Sequence, residues 1–202
     1  MAKPKKALIK LINRLLKFVG LQLAPRQALI YLHNYSSYEE YKQIQIYHNK
    51  RKIDKVWADE ATLSKVAAIV TSNSQMPRNI KGLCHGSRNG YEVNALHEIL
   101  GEGSIIIGTD ISDTANNFKN MINWDFHEIK EEWIGKFDFI YTNSLDQSCK
   151  PVKAIQVWLQ QLRRGGLLII EHTYSHGVEG ASEMDPFGIQ PVSYTHLTLP
   201  TI

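Results

Sequence analysis

Two glycines, Gly86 and Gly90, stand four residues apart in the segment LCHGSRNGYE, which joins an apolar run to a helical pattern. At such a junction glycine lets the backbone turn tightly and approach a ligand, while the first amides of the next helix face negative charge without partners. Asp110 follows 20 residues after Gly90, at the end of the apolar stretch IIIGTD. A carboxylate there accepts hydrogen bonds from both hydroxyls of a ribose. Either feature alone is common, since tight turns use glycine and aspartate caps helices. Their order and spacing together point to a nucleoside ligand.

Further candidates stand where later strands should end. Asp125 and Phe126 lie in NWDFHE, Asn143 and Asp146 in TNSLDQS after the apolar FDFIY, and His172 directly follows LLIIE. All fall at the carboxyl edge of the expected strands, where ligands of open α/β sheets bind. Asp146 and His172 are the candidates for a general base. The alternative for Asp146 is a cap on the helix beginning near Pro151, and for His172 a hydrogen-bonded structural histidine. His85, His97, His127, His172 and His176 show no metal-ligand spacing, so no metal is expected.

Aligning these residues requires a parallel sheet. From residue 80 onward short apolar strands at 80–84, 104–108, 137–141 and 167–171 alternate with helices at 91–100 and 152–162, and a third strand should end near Asp125. Such alternation implies a doubly wound α/β sheet. Upstream, residues 35–57 lack Gly and Pro and read as a helix capped by Ser36 or Ser37, with a second helix over 59–70. At 7–19, apolar residues recur at helical spacing opposite Lys6, Lys10, Arg14 and Lys17, which gives a basic amphipathic helix.

The ordered set resembles the class I S-adenosylmethionine-dependent methyltransferases over residues 80–176, about half the chain. The resemblance implies a Rossmann-like α/β fold, a truncated parallel sheet in the order 3-2-1-4-5 with an N-terminal helical region. It implies S-adenosylmethionine as cofactor, with Gly86, Ser87, Arg88 and Gly90 facing the methionine part. Asp110, with Ile111 beside it, would face the ribose, Asp125 and Phe126 the adenine, and Asn143 would open the floor of the methyl-transfer site. LRRGGLLIIEHT is similar to the family's turn and fifth strand, with Arg163 and Arg164 where members often have Lys-Pro. Two departures matter more: Cys84 stands where many members carry an acid, and Arg88 replaces the middle glycine of G-x-G-x-G. Glu92 is placed to compensate for the first, and Arg88 itself to meet the methionine carboxylate. YEEYKQIQ and HGSRNGYE are similar to bacterial methyltransferases of surface-polysaccharide assembly, which makes the acceptor a small molecule or glycan, first of all a sugar hydroxyl. Two other readings stay open. An NAD(P)-dependent oxidoreductase shares the turn and the acid but normally shows G-x-G-x-x-G, which residues 86–90 do not provide. A noncatalytic scaffold is a third use of the same fold.

The chain of 202 residues, 43% apolar and 21% charged, suits one domain with a sizeable core, and no apolar run is long enough to cross a bilayer. Residues 1–56 carry 12 Lys and Arg against 3 acids (net +9), and the rest 11 against 17 (net −6). This asymmetry suits a front segment that meets anionic groups: residues 3–19 are expected either to touch an anionic membrane or to pack on the domain with a solvated basic face. Lys50, Arg51 and Lys52 without a nucleic-acid motif read as a solvated helix face, so no nucleic-acid partner is expected. Two distant cysteines and no secretory signal suit a cytoplasmic protein, with any membrane contact peripheral at the inner face. Val192 to Thr201, VSYTHLTLPT, resembles a translated sequencing adaptor over ten consecutive residues. The expected organisation is a basic helical region over 1–75, an incomplete cofactor-binding domain over 76–190 and a non-native tail over 191–202.

Overall fold

The computed structural model describes residues 30–73, 75–191 and 193. The basic helix expected at 7–19, and the segment 192–201 apart from Ser193, lie outside the described residues. In chain order the elements are β1 (Ile30–Leu32), α1 (Tyr38–Arg51), α2 (Glu60–Ser72), β2 (Lys81–His85), α3 (Tyr91–Leu100), β3 (Ile105–Asp110), β4 (Met121–Asn123), β5 (Phe137–Thr142), α4 (Pro151–Gln161), β6 (Leu162–Ile170) and β7 (Phe187–Ile189).

Five of the strands form one parallel sheet in the order β4-β3-β2-β5-β6. Counted within that sheet alone, the order is 3-2-1-4-5. The chain departs from the expectation outside it: β1 lies in the region read as helical and pairs antiparallel with β7 in a separate two-stranded sheet.

Side-chain alternation along the strands divides the core into two layers. Cys84, Phe139 and Tyr141 point to one face, against Leu63, Val66 and Val70 of α2 and Val93 and Leu96 of α3. Leu83 and Ile140 point to the other, against Ala154, Ile155 and Trp158 of α4 and against Phe187 and Ile189. Helices on both faces explain why β5 is buried along its whole length, as a strand between two layers must be. Its one charged residue, Asp138, accepts a hydrogen bond from the Lys81 amide at 2.7 Å and pairs with the Arg163 guanidinium. Arg163 also donates to the Gln75 carbonyl at 2.6 Å, so the Arg-Arg departure fastens β6 to the approach to β2.

Local sequence explains the boundaries. α1 begins at Ser37, whose hydroxyl accepts from the Glu40 amide, while the Glu40 carboxylate accepts from Ser36. α2 begins at Asp59, whose carboxylate accepts from the Thr62 amide at 2.7 Å. Leu63, Val66, Ala67 and Val70 of α2 recur at the spacing of one helical face, and all four are buried. β6 starts five residues before the expected 167. Its pairing jumps from Phe137 with Leu162 to Phe139 with Leu167, and the extra residues are taken up around Gly165 at φ +78°. β4 ends at Asn123, so Asp125 and Phe126 stand just past the strand.

Candidate functional site

The carboxyl ends of β2, β3 and β5 lie side by side, His85 beside both Thr109 and Thr142, and the chain leaves each strand toward the same edge. From β2 it turns through Gly86 (φ +74°), Arg88 (φ +40°) and Gly90 (φ +73°) into α3. A Cβ on Gly86 would lie 2.5 Å from that of Ser144, so the approach of this turn to the β5 loop depends on glycine. Arg88 holds a left-handed conformation that a non-glycine residue adopts at a cost, fixed here by its own hydrogen bonds. α3 starts at Gly90 without a side-chain cap.

The expected nucleoside residues gather on one side. Asp110 ends β3 and is buried; Oδ1 accepts from Asn49 Nδ2 at 2.5 Å and the Ser112 amide at 2.8 Å, and Oδ2 from the Arg88 amide at 3.1 Å. Burial raises its carboxyl, opposed by these donors and by the Arg88 charge. Asp125 accepts from the Tyr38 hydroxyl at 2.7 Å and from the His127 amide at 3.0 Å. Burial works to raise this group too, but His127 and Tyr38 outweigh it, and the carboxyl lies below its ordinary value. Phe126 is buried beside Trp158, and its carbonyl accepts from the indole at 3.1 Å. Gly86, Asp110, Ile111, Asp125 and Phe126 share one small hollow with Tyr41, Gln45 and Asn49 of α1, whose open space is only about 10 Å³.

On the other side of the Gly86 turn a cavity of about 240 Å³ opens, walled by Ser87, Arg88, Glu92, Asn143, Asp146 and His176 among others. Two buried carboxylate oxygens in its wall, Glu92 Oε2 and Asp146 Oδ1, have no hydrogen-bond partner. Burial pushes Glu92 up to about 7, and burial with the neighbouring Asp185 charge pushes Asp146 up to about 8. Both therefore titrate across neutral pH, and each can bind a cation, or act as a base, once deprotonated. Lys52, Lys55 and Trp57 line the same cavity, and Trp57 is 63% exposed.

The structure thus brings Gly86, Ser87, Arg88, Asn143 and Asp146 together around the cavity and Asp110, Ile111, Asp125 and Phe126 around the adjoining hollow. Gly90 lines neither and shapes the turn. His172 is not among the cavity-lining residues; its ring meets that of His176 edge-on at 5.7 Å. His176 is the histidine near Asp146, with Nε2 3.6 Å from Oδ2. The Arg88 side chain, expected to meet a ligand carboxylate, folds onto α1 and the segment after it: Nε donates to Asn49 at 2.6 Å and Nη1 to the Lys55 carbonyl at 3.3 Å. Asp146 sits in a one-turn 3-10 helix, Leu145–Gln147, and is not a cap of α4, which starts after Lys150 without a side-chain cap. No group of three or more metal-ligating side chains occurs among the described residues. The sequence does not single out Tyr38, Tyr41 and Asn49 as site residues, although Tyr38 and Tyr41 lie in YEEYKQIQ, because nothing local to a Tyr- and Lys-rich helix says which edge it will cover.

No protein-family model and no curated protein sequence matches the chain. Solved structures do. A Haemonchus contortus phosphoethanolamine N-methyltransferase, solved with phosphomonomethylethanolamine and S-adenosylhomocysteine, aligns at TM-score 0.53 and 13% identity over 81% of this chain and 44% of its own. The plantazolicin methyltransferase BpumL with S-adenosylhomocysteine aligns at 0.51 and 15%, over 73% and 65%. A chain in the complex of the Haloferax volcanii Trm112 methyltransferase activator with a methyltransferase aligns at 0.54 and 13%, over 81% and 75%. The chain has the Rossmann-like fold of S-adenosylmethionine-dependent methyltransferases.

Proposed function

We propose that this protein is an S-adenosylmethionine-dependent methyltransferase acting on a small-molecule or glycan acceptor, with a sugar hydroxyl as the first candidate. The observation that carries the reading is the juxtaposition at one sheet edge of the Gly86 turn, the strand-end carboxylate Asp110 and a cavity walled by Glu92 and Asp146, each with one buried carboxylate oxygen that has no hydrogen-bond partner, on a fold shared with solved methyltransferases. The residues fit the cofactor by chemistry. Asp110 offers acceptors to ribose hydroxyls, Asp125 and Phe126 offer a carboxylate and a flat apolar face to adenine, and Glu92 offers an acceptor to the methionine ammonium. Glu92 would thus supply the charge that Cys84, fully buried in the core, does not.

When bound, the cofactor supplies a methyl group activated on sulfonium, and the protein's part is positioning and proton removal. Gly86, Ser87 and Asn143 would fix the methionine end, and Glu92 would orient it through the ammonium. Asp146 would take the proton of an acceptor hydroxyl as general base, because it lines the same cavity and one of its carboxylate oxygens has no hydrogen-bond partner. Trp57 with Lys52 and Lys55 supports a carbohydrate acceptor: an exposed indole offers a flat apolar face to a sugar ring, with polar partners around it.

The reading extends to a place in the cell only by proposal. Among the described residues no helix is long and apolar enough to cross a membrane; peripheral contact through residues 3–19 and a cytoplasmic setting are part of the proposal. The test is calorimetric binding of S-adenosylhomocysteine against NADH, followed by methyl transfer from labelled cofactor to a panel of sugars, amines and phenols. Binding of S-adenosylhomocysteine, its loss in Asp110→Ala, and label on a sugar are expected. Preference for NADH would overturn the reading, and label on amines only would overturn the sugar hydroxyl.

A further inference from the structure

The nucleoside side of the site is filled by the protein itself. The buried residues of α1 are Tyr41, Gln45 and Asn49, four residues apart and so along one face. All three line the hollow that holds Asp110, Asp125 and Phe126. An open space of about 10 Å³ barely admits one water molecule, so no nucleoside fits while α1 stays in place.

The face that α1 turns inward is polar. Tyr38 donates to Asp125, Tyr41 to the Gln147 carbonyl at 3.0 Å, Gln45 to the Met184 carbonyl at 3.1 Å and Asn49 to Asp110. Of the three buried residues only Tyr41 brings apolar bulk. Most helices are held by an apolar stripe whose exposure to water is costly, whereas hydrogen bonds are exchanged for others at little net loss. Beyond the buried Tyr41 ring, α1 is therefore held at its Asn49 end by hydrogen bonds that a ligand or water can replace.

Asn49 is the centre of this arrangement. Its amide donates to one oxygen of Asp110 while its carbonyl accepts from Arg88 Nε, so a neutral side chain bridges the acid and the cation that border the site. A ribose hydroxyl would donate to that same Asp110 oxygen.

We propose that Asn49 is the gatekeeping residue of the nucleoside site: its amide holds the Asp110 oxygen that a ribose hydroxyl needs, and a nucleoside ligand enters by displacing Asn49 and lifting the inner face of α1. This rests on the reading of Asp110 as the ribose acceptor. It makes α1 a competitor of the ligand, which is the opposite of a fixed roof that adds to binding.

The two readings differ in sign. If Asn49 competes, Asn49→Ala binds S-adenosylhomocysteine more tightly, by about tenfold, the equivalent of one hydrogen bond to a charged group. If α1 is a fixed roof, the same variant binds more weakly. Hydrogen exchange on the unmodified protein supplies an arm that needs no variant to fold: amides of Tyr38–Arg51 should lose protection when S-adenosylhomocysteine is added. Tighter binding by the variant or ligand-induced loss of protection along α1 supports the proposal. Weaker binding together with gained protection overturns it while leaving the cofactor reading intact. Failure of the unmodified protein and the variant alike to bind S-adenosylhomocysteine overturns both.

Discussion

Replacing Glu92 by glutamine should strengthen the fold and weaken ligand binding at once. Glu92 is 6% exposed, and its Oε2 atom is buried without a partner. Burial raises the carboxyl from 4.5 to about 7, against smaller contributions from Arg88 and Asn143 that favour ionisation. A carboxyl raised on folding binds its proton more tightly in the native state than in the unfolded chain. Its contribution to stability is therefore intact below about pH 4.5 and lost as pH climbs through about 7. The gap between the two values amounts to roughly 3 kcal/mol once the group is ionised in both states. Glutamine keeps the shape and has no charge to desolvate. Urea unfolding followed by tryptophan fluorescence should give the variant no advantage at about pH 4.5 and a gain approaching ~3 kcal/mol at about pH 8.5. Binding runs the other way. A ligand ammonium favours the ionised carboxyl, so below pH 7 S-adenosylhomocysteine should expel a proton on binding and bind more tightly as pH rises to about 7. The variant should lose at least about tenfold in affinity and show no such proton release. An equal stability difference at both pH values would refute the burial argument, and unchanged proton release in the variant would remove Glu92 from the site.

Three further outcomes follow from the same geometry. Asp146→Asn should leave S-adenosylhomocysteine affinity within about threefold and cut transfer to a hydroxyl acceptor by roughly 10²–10⁴. In the unmodified protein that transfer should rise with pH and level off above about 8, because the base acts only when deprotonated; a flat profile in stopped assays would contradict the role. Gly86→Ala puts a methyl group 2.5 Å from the Ser144 Cβ at φ +74°, and should cost about 2 kcal/mol of unfolding free energy along with cofactor affinity. Trp57→Ala, at a residue 63% exposed, should leave stability within about 0.5 kcal/mol and cofactor affinity unchanged while raising KM for a sugar acceptor about tenfold; an unchanged KM would place the acceptor elsewhere.

The sheet was legible because its signals are local. Apolar runs such as FDFIY and LLII, short and rich in aromatic or branched residues, read as strands, and Gly86, Gly90 and Asp110 announce a turn and a strand end by residue type. Even the early start of β6 leaves a local trace, since Gly165 and Gly166 permit the irregular pairing that extends it back to Leu162. The polar side of the site has no such trace. Asp146 was readable as a residue near a strand end, but its partner was not: His172 and His176 lie one helical turn apart in sequence, and only the path of the chain through the 3-10 turn Tyr174–His176 brings the second toward the acid.

The same distinction explains what α1 concealed. A helix that docks through leucines writes its docking face into the sequence, because apolar residues must recur on one side. α1 docks through Tyr41, Gln45 and Asn49, of which only Tyr41 has apolar bulk, so the spacing of four carries little hydrophobic contrast and the face reads as solvated. The feature that hides the contact is also the one on which the proposed gate depends. A face that docks through hydrogen bonds is silent in a hydropathy pattern, and the polar stripe of α1 covers Asp110, the carboxylate proposed to receive a ribose. Where a candidate ligand edge is covered by a helix with no apolar stripe, the covering contact is itself grounds for testing whether that helix moves.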